Sequence, residues 1–382
     1  MNIEEIIKPE WCTGCTSCNS VCPVQAIKMK KNCLAEKVPV VNKSICVDCG
    51  KCISICPAIN NLQTNNPMEC LAACSLDLED KKYSASGGMA SVISRKIINH
   101  GGIVCGVVWN DKMEAVHEFA YDAAGLKKFK GSKYVESHLG NVTEIINVLK
   151  DGKLLLYIGT PCQVAAIKRL TKGYQDNLVT IDLICHGMPP IDYFKEHISK
   201  RRSKITDAKF RGEKDFWLRL YRDEKCVYES FNWYDEYFSA FMENLIFRES
   251  CYSCKYATSE RVGDFSLGDF WGLSEESKLA SCTGRKSLVL INTKKGKEIF
   301  NCIADDCIFE VRSLEEAKKE NRQLNSPSLP SEDRNVFLEN YPKYGFNKAI
   351  KKTVVYKNVL SKRRWNMKSR IKQKLLGIWR LK

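Results

Sequence analysis

Eight cysteines within the first 57 residues form two copies of one spacing, C-x2-C-x2-C-x3-C-P. Three thiols at three-residue steps can lie on one tight loop and bind one face of an iron–sulfur cubane. We expect the fourth cysteine of each run on a short helix after this loop, pointing away to the other cluster. The spacing therefore predicts two [4Fe–4S] clusters. One would be held by Cys12, Cys15, Cys18 and Cys56, and the other by Cys46, Cys49, Cys52 and Cys22.

Two other interpretations of this repeat are a disulfide scaffold and a pair of zinc sites. Residues 1–10 include acidic side chains and lack the apolar core of a signal peptide, so we expect a cytoplasmic chain, where disulfides are rare. A zinc site needs four ligands, but a duplicated run in which Pro23 or Pro57 follows the fourth cysteine is not typical zinc spacing. The repeat thus favours iron–sulfur clusters.

After residue 60 the pattern changes to helices that alternate with apolar strands, which is typical of an α/β domain. We predict strands at 103–109, 154–158, 178–185 and 287–292, and antiparallel strands within 205–231. We predict helices at 89–100, 142–150, 164–170, 191–200, 233–247 and 294–303. The expected fold is an α+β two-cluster ferredoxin domain (1–60), a linker (61–68), an α/β domain with a mixed, mostly parallel sheet (69–340), and a basic helical tail (341–382).

Four further cysteines lie at predicted strand ends or in a loop that could approach them. Cys162 follows the strand 154–158 at the start of a helix, Cys185 ends the strand 178–185, and Cys251 and Cys254 form a C-x2-C loop. Because the carboxyl ends of parallel strands form the ligand-binding edge of a sheet, Cys162 and Cys185 are expected to share that edge. The four thiols are compatible with a third iron–sulfur site, a zinc site, a catalytic thiol at Cys162, or unrelated buried cysteines. The remaining eight cysteines lack ligand spacing and are interpreted as structural.

Five motifs follow one another in an order that resembles a known family. They are Ser86-Gly87-Gly88; Gly131-Ser132-Lys133-Tyr134-Val135-Glu136-Ser137; Gly159-Thr160-Pro161-Cys162-Gln163; Cys185-His186-Gly187; and Cys251-x-x-Cys254 followed by Gly268-Asp269-Phe270-Trp271-Gly272. The succession resembles the beta subunit of coenzyme F420 hydrogenase/dehydrogenase, particularly bacterial members with a fused N-terminal ferredoxin. The resemblance implies a flavin, FAD, beside a third [4Fe–4S] cluster held by Cys162, Cys185, Cys251 and Cys254.

The resemblance also suggests which residues would bind the flavin. Gly87 and Gly88 precede a helix whose first N–H groups and dipole suit a pyrophosphate. Lys133 would neutralise phosphate or hydrogen-bond to an isoalloxazine carbonyl, and Tyr134 would pack on the ring. The other predicted contacts are Ser86, Ser132 and Thr160. The alternatives are a plain turn for the Ser-Gly-Gly motif and a solvated loop for Lys133 and Tyr134. Additional polar candidates, with structural alternatives of their own, are His186, Arg211, Lys214 and Asp269.

The positive charge of the chain is concentrated at its C-terminus. Residues 340–382 contain 14 Lys or Arg and no Asp or Glu, which accounts for nearly all of the formal net charge of +15. A general nucleic-acid-binding surface is therefore not expected. Leu360, Met367, Ile371, Leu375 and Ile378 fall on one helical stripe beside basic residues, which predicts docking on an anionic membrane surface, here the inner face of the membrane, or on an anionic partner. A disordered or solvated tail is the alternative.

Together these features predict an iron–sulfur flavoprotein oxidoreductase. It would pass electrons between ferredoxin-type clusters and a flavin, and on to or from an organic two-electron acceptor such as coenzyme F420 or a biosynthetic intermediate. Its partner would be a redox protein or a small-molecule acceptor. The alternatives are a non-catalytic electron-transfer subunit that docks a partner enzyme, and a nucleic-acid-bound redox sensor that acts through the tail.

Overall fold

The structure is a computed structural model that describes residues 1–60, 63–201, 204–212, 215–274, 276–280 and 282–379, without the side chains of Tyr83 and of 370–379. The strands are β1 (Ile27–Lys31), β2 (Lys37–Val41), β3 (Glu69–Ser75), β4 (Ile103–Trp109), β5 (Ala115–Ala120), β6 (Ser137–His138), β7 (Leu155–Gly159), β8 (Leu178–Leu183), β9 (Asp207–Lys209), β10 (Trp217–Arg222), β11 (Lys225–Phe231), β12 (Phe265–Asp269), β13 (Ser287–Ile291) and β14 (Cys307–Arg312).

The α-helices are α1 (Ile3–Ile6), α2 (Ser17–Ser20), α3 (Lys51–Ile55), α4 (Leu78–Tyr83), α5 (Met89–Asn99), α6 (Ala123–Leu126), α7 (Val142–Lys150), α8 (Pro161–Leu170), α9 (Ile191–Ser199), α10 (Glu236–Met242), α11 (Lys294–Asn301), α12 (Leu314–Glu320), α13 (Arg334–Tyr344), α14 (Phe346–Ala349) and α15 (Val354–Trp379). Most of the predicted elements are therefore present, with ends that differ by at most three residues. The candidate Lys214 lies outside the described residues.

The first 60 residues place two cysteine-bearing loops around the antiparallel hairpin β1–β2. Each loop enters its short helix, α2 or α3, through a residue with left-handed backbone angles, Thr16 or Gly50. The fourth cysteines, Cys22 and Cys56, lie beyond the last residues of these helices and not on them as expected. The reason is local: each precedes a proline, which disfavours helical backbone angles at the residue before it, and Cys56 is extended.

The second domain is built on a nine-stranded mixed sheet with the order β14-β3-β13-β12-β8-β7-β4-β5-β6. Its centre, β12-β8-β7-β4, is parallel, whereas β4–β5 and all pairings from β12 to β14 are antiparallel. The predicted mixed sheet is confirmed, but four of its eight pairings are parallel, fewer than expected, because short connections such as residues 110–114 impose antiparallel pairing. Since β3 is antiparallel to β13, it runs parallel to β12, so β3, β12, β8, β7 and β4 end at one edge.

A three-stranded antiparallel sheet, β11-β10-β9, confirms the strands predicted within 205–231. The helix predicted at 233–247 is much shorter, covering only the seven residues of α10. Asp235 begins this helix by accepting a hydrogen bond from the N–H of Phe238, and Asn244, with φ of 52°, turns the chain beyond its end. The local N-cap and the left-handed residue thus set its limits.

The C-terminal residues pack on the body from 334 to about 359. Tyr341, Phe346, Ile350 and Val359 are buried, and the first three join an aromatic core with α9 and α10. The predicted boundary between 340 and 341 therefore falls inside α13 and does not coincide with a break in the fold. Arg334 is buried, but every lysine of this stretch is exposed, which is why composition alone suggested a separate tail.

Candidate redox site

Two cavities of similar size occur in the N-terminal domain, each lined by one of the predicted cysteine quartets. Among the residues lining the outer cavity are Cys22, Cys46, Cys49 and Cys52. Cys49 is exposed, and the Sγ of Cys22 accepts a hydrogen bond from the N–H of Ala26 at 3.1 Å. Among the residues lining the inner cavity are Cys12, Cys15, Cys18 and Cys56.

The inner quartet has the chemistry of a metal-cluster site. Burial raises the pKa of the Cys18 thiol, and the neighbouring thiols Cys15, Cys12 and Cys56 raise it further. Burial likewise raises the pKa of Cys56 to about 11. Four thiolates cannot be held this close in a buried cavity unless cations between them compensate the charge. Iron ions of a cluster would supply that compensation, so the residues fit the group.

The third cysteine set is gathered at the carboxyl edge of the sheet. Cys162 lies in the first turn of α8 after β7, and Cys185 lies two residues past β8, which pairs in parallel with β7. Cys251 and Cys254 reach the same point from the loop that follows α10. Burial, followed by the charges of Cys251, Cys162 and Cys254, raises the pKa of the Cys185 thiol. The four thiols are thus close together, as the strand ends suggested. All twenty cysteines of the chain are unpaired.

The inner quartet and the third set are neighbours. Cys15, Cys162 and Cys254 pack against the same hydrophobic cluster, and the charge of Cys15 is one of the causes that raise the pKa of Cys162, after burial and the other thiols. Helices α2 and α3 both contact α8, which carries Cys162. The outer quartet, in which Cys49 is exposed, the inner quartet and the third set therefore follow one another from the surface into the second domain.

The predicted flavin residues Ser86, Gly87 and Gly88 lie at the same sheet edge, past the end of β3. The Ser86 hydroxyl donates to the carbonyl of Lys286 at 2.8 Å, and the N–H of Ser75 donates to the carbonyl of Gly87 at 2.7 Å. Gly88 has φ of 87° and begins α5, where side chains other than glycine are strained. With neighbouring strands about 4.8 Å apart, three strand steps place this turn about 14 Å from Cys185.

Residues 127–134 connect this turn to the middle of the edge. On the side of the Ser-Gly-Gly turn, the Lys130 ammonium lies 3.6 Å from the carboxylate of Asp80, which in turn contacts the Ser75 hydroxyl. At the other end, Tyr134 lies beside Arg211, whose guanidinium pairs with Asp269 at 2.5 Å. Burial raises the pKa of Tyr134, and the charge of Arg211 opposes this effect. Ser132, Tyr134 and the Ser-Gly-Gly turn are therefore brought to one region.

Lys133 and Thr160 each contact a residue that is close to them in sequence. The Lys133 ammonium donates to the carbonyl of Phe129 at 3.2 Å, and burial lowers the pKa of Lys133 to about 8. Thr160 caps α8, and its hydroxyl contacts the Sγ of Cys162 at 3.2 Å. Thr160 therefore adjoins the third cysteine set, whereas Lys133 adjoins the loop that carries Tyr134. His186 is exposed beside Cys185.

Sequence reasoning missed three buried cationic features around the site. Arg248 and Arg261 are each 2 % exposed and flank the C-x2-C loop. Arg285 lies beside the rings of Phe216 and Trp271, with its guanidinium carbon 4.5 and 5.4 Å from their centroids, and 3.7 Å from Asp269. Only short sequence features could have pointed to these residues. Arg248 lies three residues before Cys251, and Arg285 belongs to a basic pair directly before the buried strand β13.

The end of the chain is the long helix α15. Arg363 pairs with Glu236 at 3.1 Å, while Trp365 and Met367 are exposed on opposite sides of the helix because 3.6 residues make one turn. Ile371, Leu375 and Ile378 of the predicted stripe have side chains outside the described residues, so membrane docking stays a prediction. Within the described part of the chain, no helix has the length and apolar character that crossing a bilayer requires.

Comparison with known families confirms the resemblance suggested by the five motifs. Residues 152–317 match the family described as the C terminus of the beta subunit of coenzyme F420 hydrogenase/dehydrogenase, and residues 11–60 match the 4Fe-4S dicluster domain. The first match contains Cys162, Cys185, Cys251 and Cys254, and the second contains both predicted cluster runs.

Two curated proteins and one solved structure are similar. The F subunit of the F(420)H(2) dehydrogenase of Methanosarcina mazei is 25% identical over 193 residues, which is 48% of this chain and about half, 55%, of that protein. The beta subunit of the coenzyme F420 hydrogenase of Methanococcus voltae is 23% identical over 294 residues, 71% of this chain and 93% of that protein. A chain of the F420-reducing [NiFe] hydrogenase complex from Methanosarcina barkeri aligns with a TM-score of 0.45 and 19% identity, over 77% of this chain and 93% of that chain.

Proposed function

Starting from a 4Fe-4S dicluster domain joined to the C-terminal domain that is typical of coenzyme F420 hydrogenase/dehydrogenase beta subunits, we propose that this chain is an iron–sulfur flavoprotein that transfers electrons between a one-electron partner and an organic two-electron carrier. Coenzyme F420, named in both similar proteins, is one candidate carrier. The exposed end would meet a redox partner protein, and the sheet edge would meet the carrier.

The observation that carries this proposal is the position of Cys15 beside Cys162 and Cys254. A separate ferredoxin domain on a flexible linker would not need its inner quartet against another cysteine set. Here the two sets share one packed interface, and residues 64 and 65 are fastened to residues 260 and 261. This fixed juxtaposition supports a continuous order of redox groups from the outer quartet to the sheet edge.

Bound [4Fe–4S] clusters would supply one-electron transfer, and a bound flavin would supply the exchange between one-electron and two-electron chemistry. The chain would hold these groups with its three cysteine quartets and with the edge residues Ser86–Gly88, Ser132–Tyr134 and Thr160. The N–H groups of Ala26 and Met188 donate to the sulfurs of Cys22 and Cys251, at 3.1 and 3.4 Å, which favours their thiolate forms. Arg211 and Lys133 offer positive charge to an anionic carrier or to a flavin phosphate.

Anaerobic purification with iron, sulfide and flavin measured on one sample tests the proposal. We expect about twelve iron and twelve sulfide per chain, since three clusters contain four of each, together with one flavin. Reduction by a low-potential one-electron donor should bleach both cluster and flavin absorbance. About eight iron without flavin would instead support a carrier that lacks a substrate site, and zinc or no metal would contradict the proposal.

Gly87→Ala is expected to remove the flavin while leaving the clusters in place. A Cβ at position 87 would lie 2.5 Å from the carbonyl oxygen of Ala73 and 2.8 Å from the backbone nitrogen of Ser287, so the turn must move away from the sheet edge. Overpacking of this kind typically costs about 1–3 kcal/mol. The measurement is flavin per chain after gel filtration, with iron content as the internal reference.

Gly125→Ala is the matched control, because its added Cβ would meet no atom nearer than the Cβ of Ala120 at 3.0 Å, followed by the Cα of Ala120 at 3.3 Å and the Oδ1 of Asp122 at 3.4 Å, in the short helix α6. We expect flavin content to be unchanged in this variant. Full flavin retention in Gly87→Ala would show that the Ser-Gly-Gly turn is a plain helix start.

A further inference from the structure

Arg248 is a buried cation at the contact between the N-terminal domain and the sheet domain. Its Nε donates to the carbonyl of Cys12 at 2.6 Å, and its Nη2 donates to the carbonyl of Lys37 at 2.5 Å. Its Nη1 has no hydrogen-bond partner within the described residues and faces Gly14, where a Cβ would come within 2.9 Å. The Oε2 of Glu136 lies 3.6 Å from Nη1. The guanidinium therefore fits closely under the first cysteine loop.

The same residue is also part of the loop that carries the third cysteine set. Its carbonyl accepts a hydrogen bond from the N–H of Cys251 at 2.9 Å, and its own N–H donates to the carbonyl of Met188, whose N–H in turn donates to the Sγ of Cys251. Cys12 and Cys251 both lie within electrostatic range of the guanidinium. Arg248 thus stands between one thiol of the inner quartet and one thiol of the third set.

We infer that Arg248 is a positioning residue whose permanent charge makes both adjacent iron–sulfur sites easier to reduce, an inference that rests on the proposed function. Reduction adds one negative charge to a site, and the potential of such a site depends on nearby net charge, hydrogen bonding and solvent exposure. An arginine stays charged at all physiological pH values, and at 2 % exposure its field is only weakly screened by water. The outer quartet lies on the far side of the inner one and should feel this charge least.

A purely mechanical role is the competing explanation, because the side chain also joins two domains through the Cys12 and Lys37 carbonyls. Two substitutions separate the roles. Arg248→Lys keeps the positive charge but cannot reproduce both guanidinium hydrogen bonds, to the carbonyls of Cys12 and Lys37. Arg248→Gln loses the charge and keeps hydrogen-bonding capacity. Arg169→Gln is the matched control, because Arg169 also donates to an N-terminal-domain carbonyl, that of Ser54 at 3.0 Å, but in a solvent-exposed contact.

The experiment is an anaerobic redox titration of the full-length protein, followed by electron paramagnetic resonance and visible absorbance, with iron counted in each sample. In Arg248→Gln we expect at least one one-electron transition to shift negative by about tenfold in its equilibrium constant, which is about 59 mV. Arg248→Lys should shift less than half as far, and Arg169→Gln should not shift. Unchanged transitions in Arg248→Gln, or equal shifts in both Arg248 variants, would overturn the inference.

Loss of iron is also decisive. If Arg248→Gln loses iron and Arg248→Lys retains it with wild-type potentials, charge is the required property and the inference stands. If both variants lose iron equally, the side chain is only a clamp and the inference fails. A wild-type protein without about twelve iron would instead refute the proposed function at the iron count, before any titration.

Discussion

Replacing both Cys251 and Cys254 with serine is expected to remove about four of the twelve proposed iron atoms and to stop electron flow from the N-terminal domain to the proposed flavin. A serine hydroxyl does not supply the thiolate that an iron–sulfur cluster requires. We expect the rate of flavin reduction to fall by more than about 100-fold, since even the loss of an outer-shell partner typically costs 10–100-fold at a metal site. The measurement combines iron per chain with stopped-flow flavin reduction by a reduced one-electron donor.

The fold should survive this double substitution, because other contacts hold the loop. Tyr252 donates to the carbonyl of Asn244 at 2.7 Å, and Arg334 pairs with Glu249 at 2.7 Å. Cys226→Ser together with Cys302→Ser is the matched control, since both of these cysteines are exposed and outside the three quartets. The control should retain full iron. An unchanged iron count in Cys251→Ser/Cys254→Ser would remove the third cluster from the proposal.

The features that local sequence determines were the easiest to predict. The two quartets follow from spacing within short loops, and the two cavities in the structure are lined by the same groupings of cysteines. The meeting of Cys162 and Cys185 follows from one rule, that neighbouring parallel strands end at the same edge. The length of α10 was missed because a hydrophobic pattern continues past Asn244, although its backbone turns there.

The features that depend on distant pairings could not be read from the sequence. Strand β13 inserts between β3 and β12, which brings Arg285 and Lys286 beside Ser86 across about 200 residues of chain. The contact of Arg248 with Cys12 likewise depends on how two domains dock, and no periodicity encodes it. Buried charges of this kind resemble solvated ones in the sequence until their partners are known.

Asp182→Asn is expected to destabilise the second domain by about 3–5 kcal/mol, because it leaves a buried arginine without its counter-charge. Asp182 is fully buried at the end of β8; its carboxylate accepts from both Nε and Nη2 of Arg261 and from the N–H of Gly263. Arg261 also donates to the carbonyls of Tyr256 and Thr258, so the pair fastens the stretch after Cys254 to the sheet.

Anaerobic urea unfolding of the holoprotein, followed by circular dichroism and cluster absorbance, measures this effect. Glu229→Gln is the control, because it breaks the partly exposed pair with Arg219 and should cost at most about 1 kcal/mol. The double variant Asp182→Leu/Arg261→Met should be more stable than Asp182→Asn, since it removes both charges together. Because the pair anchors the loop beyond Cys254, Asp182→Asn should also lose the third set's iron at lower urea than the N-terminal iron. A midpoint equal to that of Glu229→Gln would contradict the assignment of this pair as the anchor of the third cysteine set.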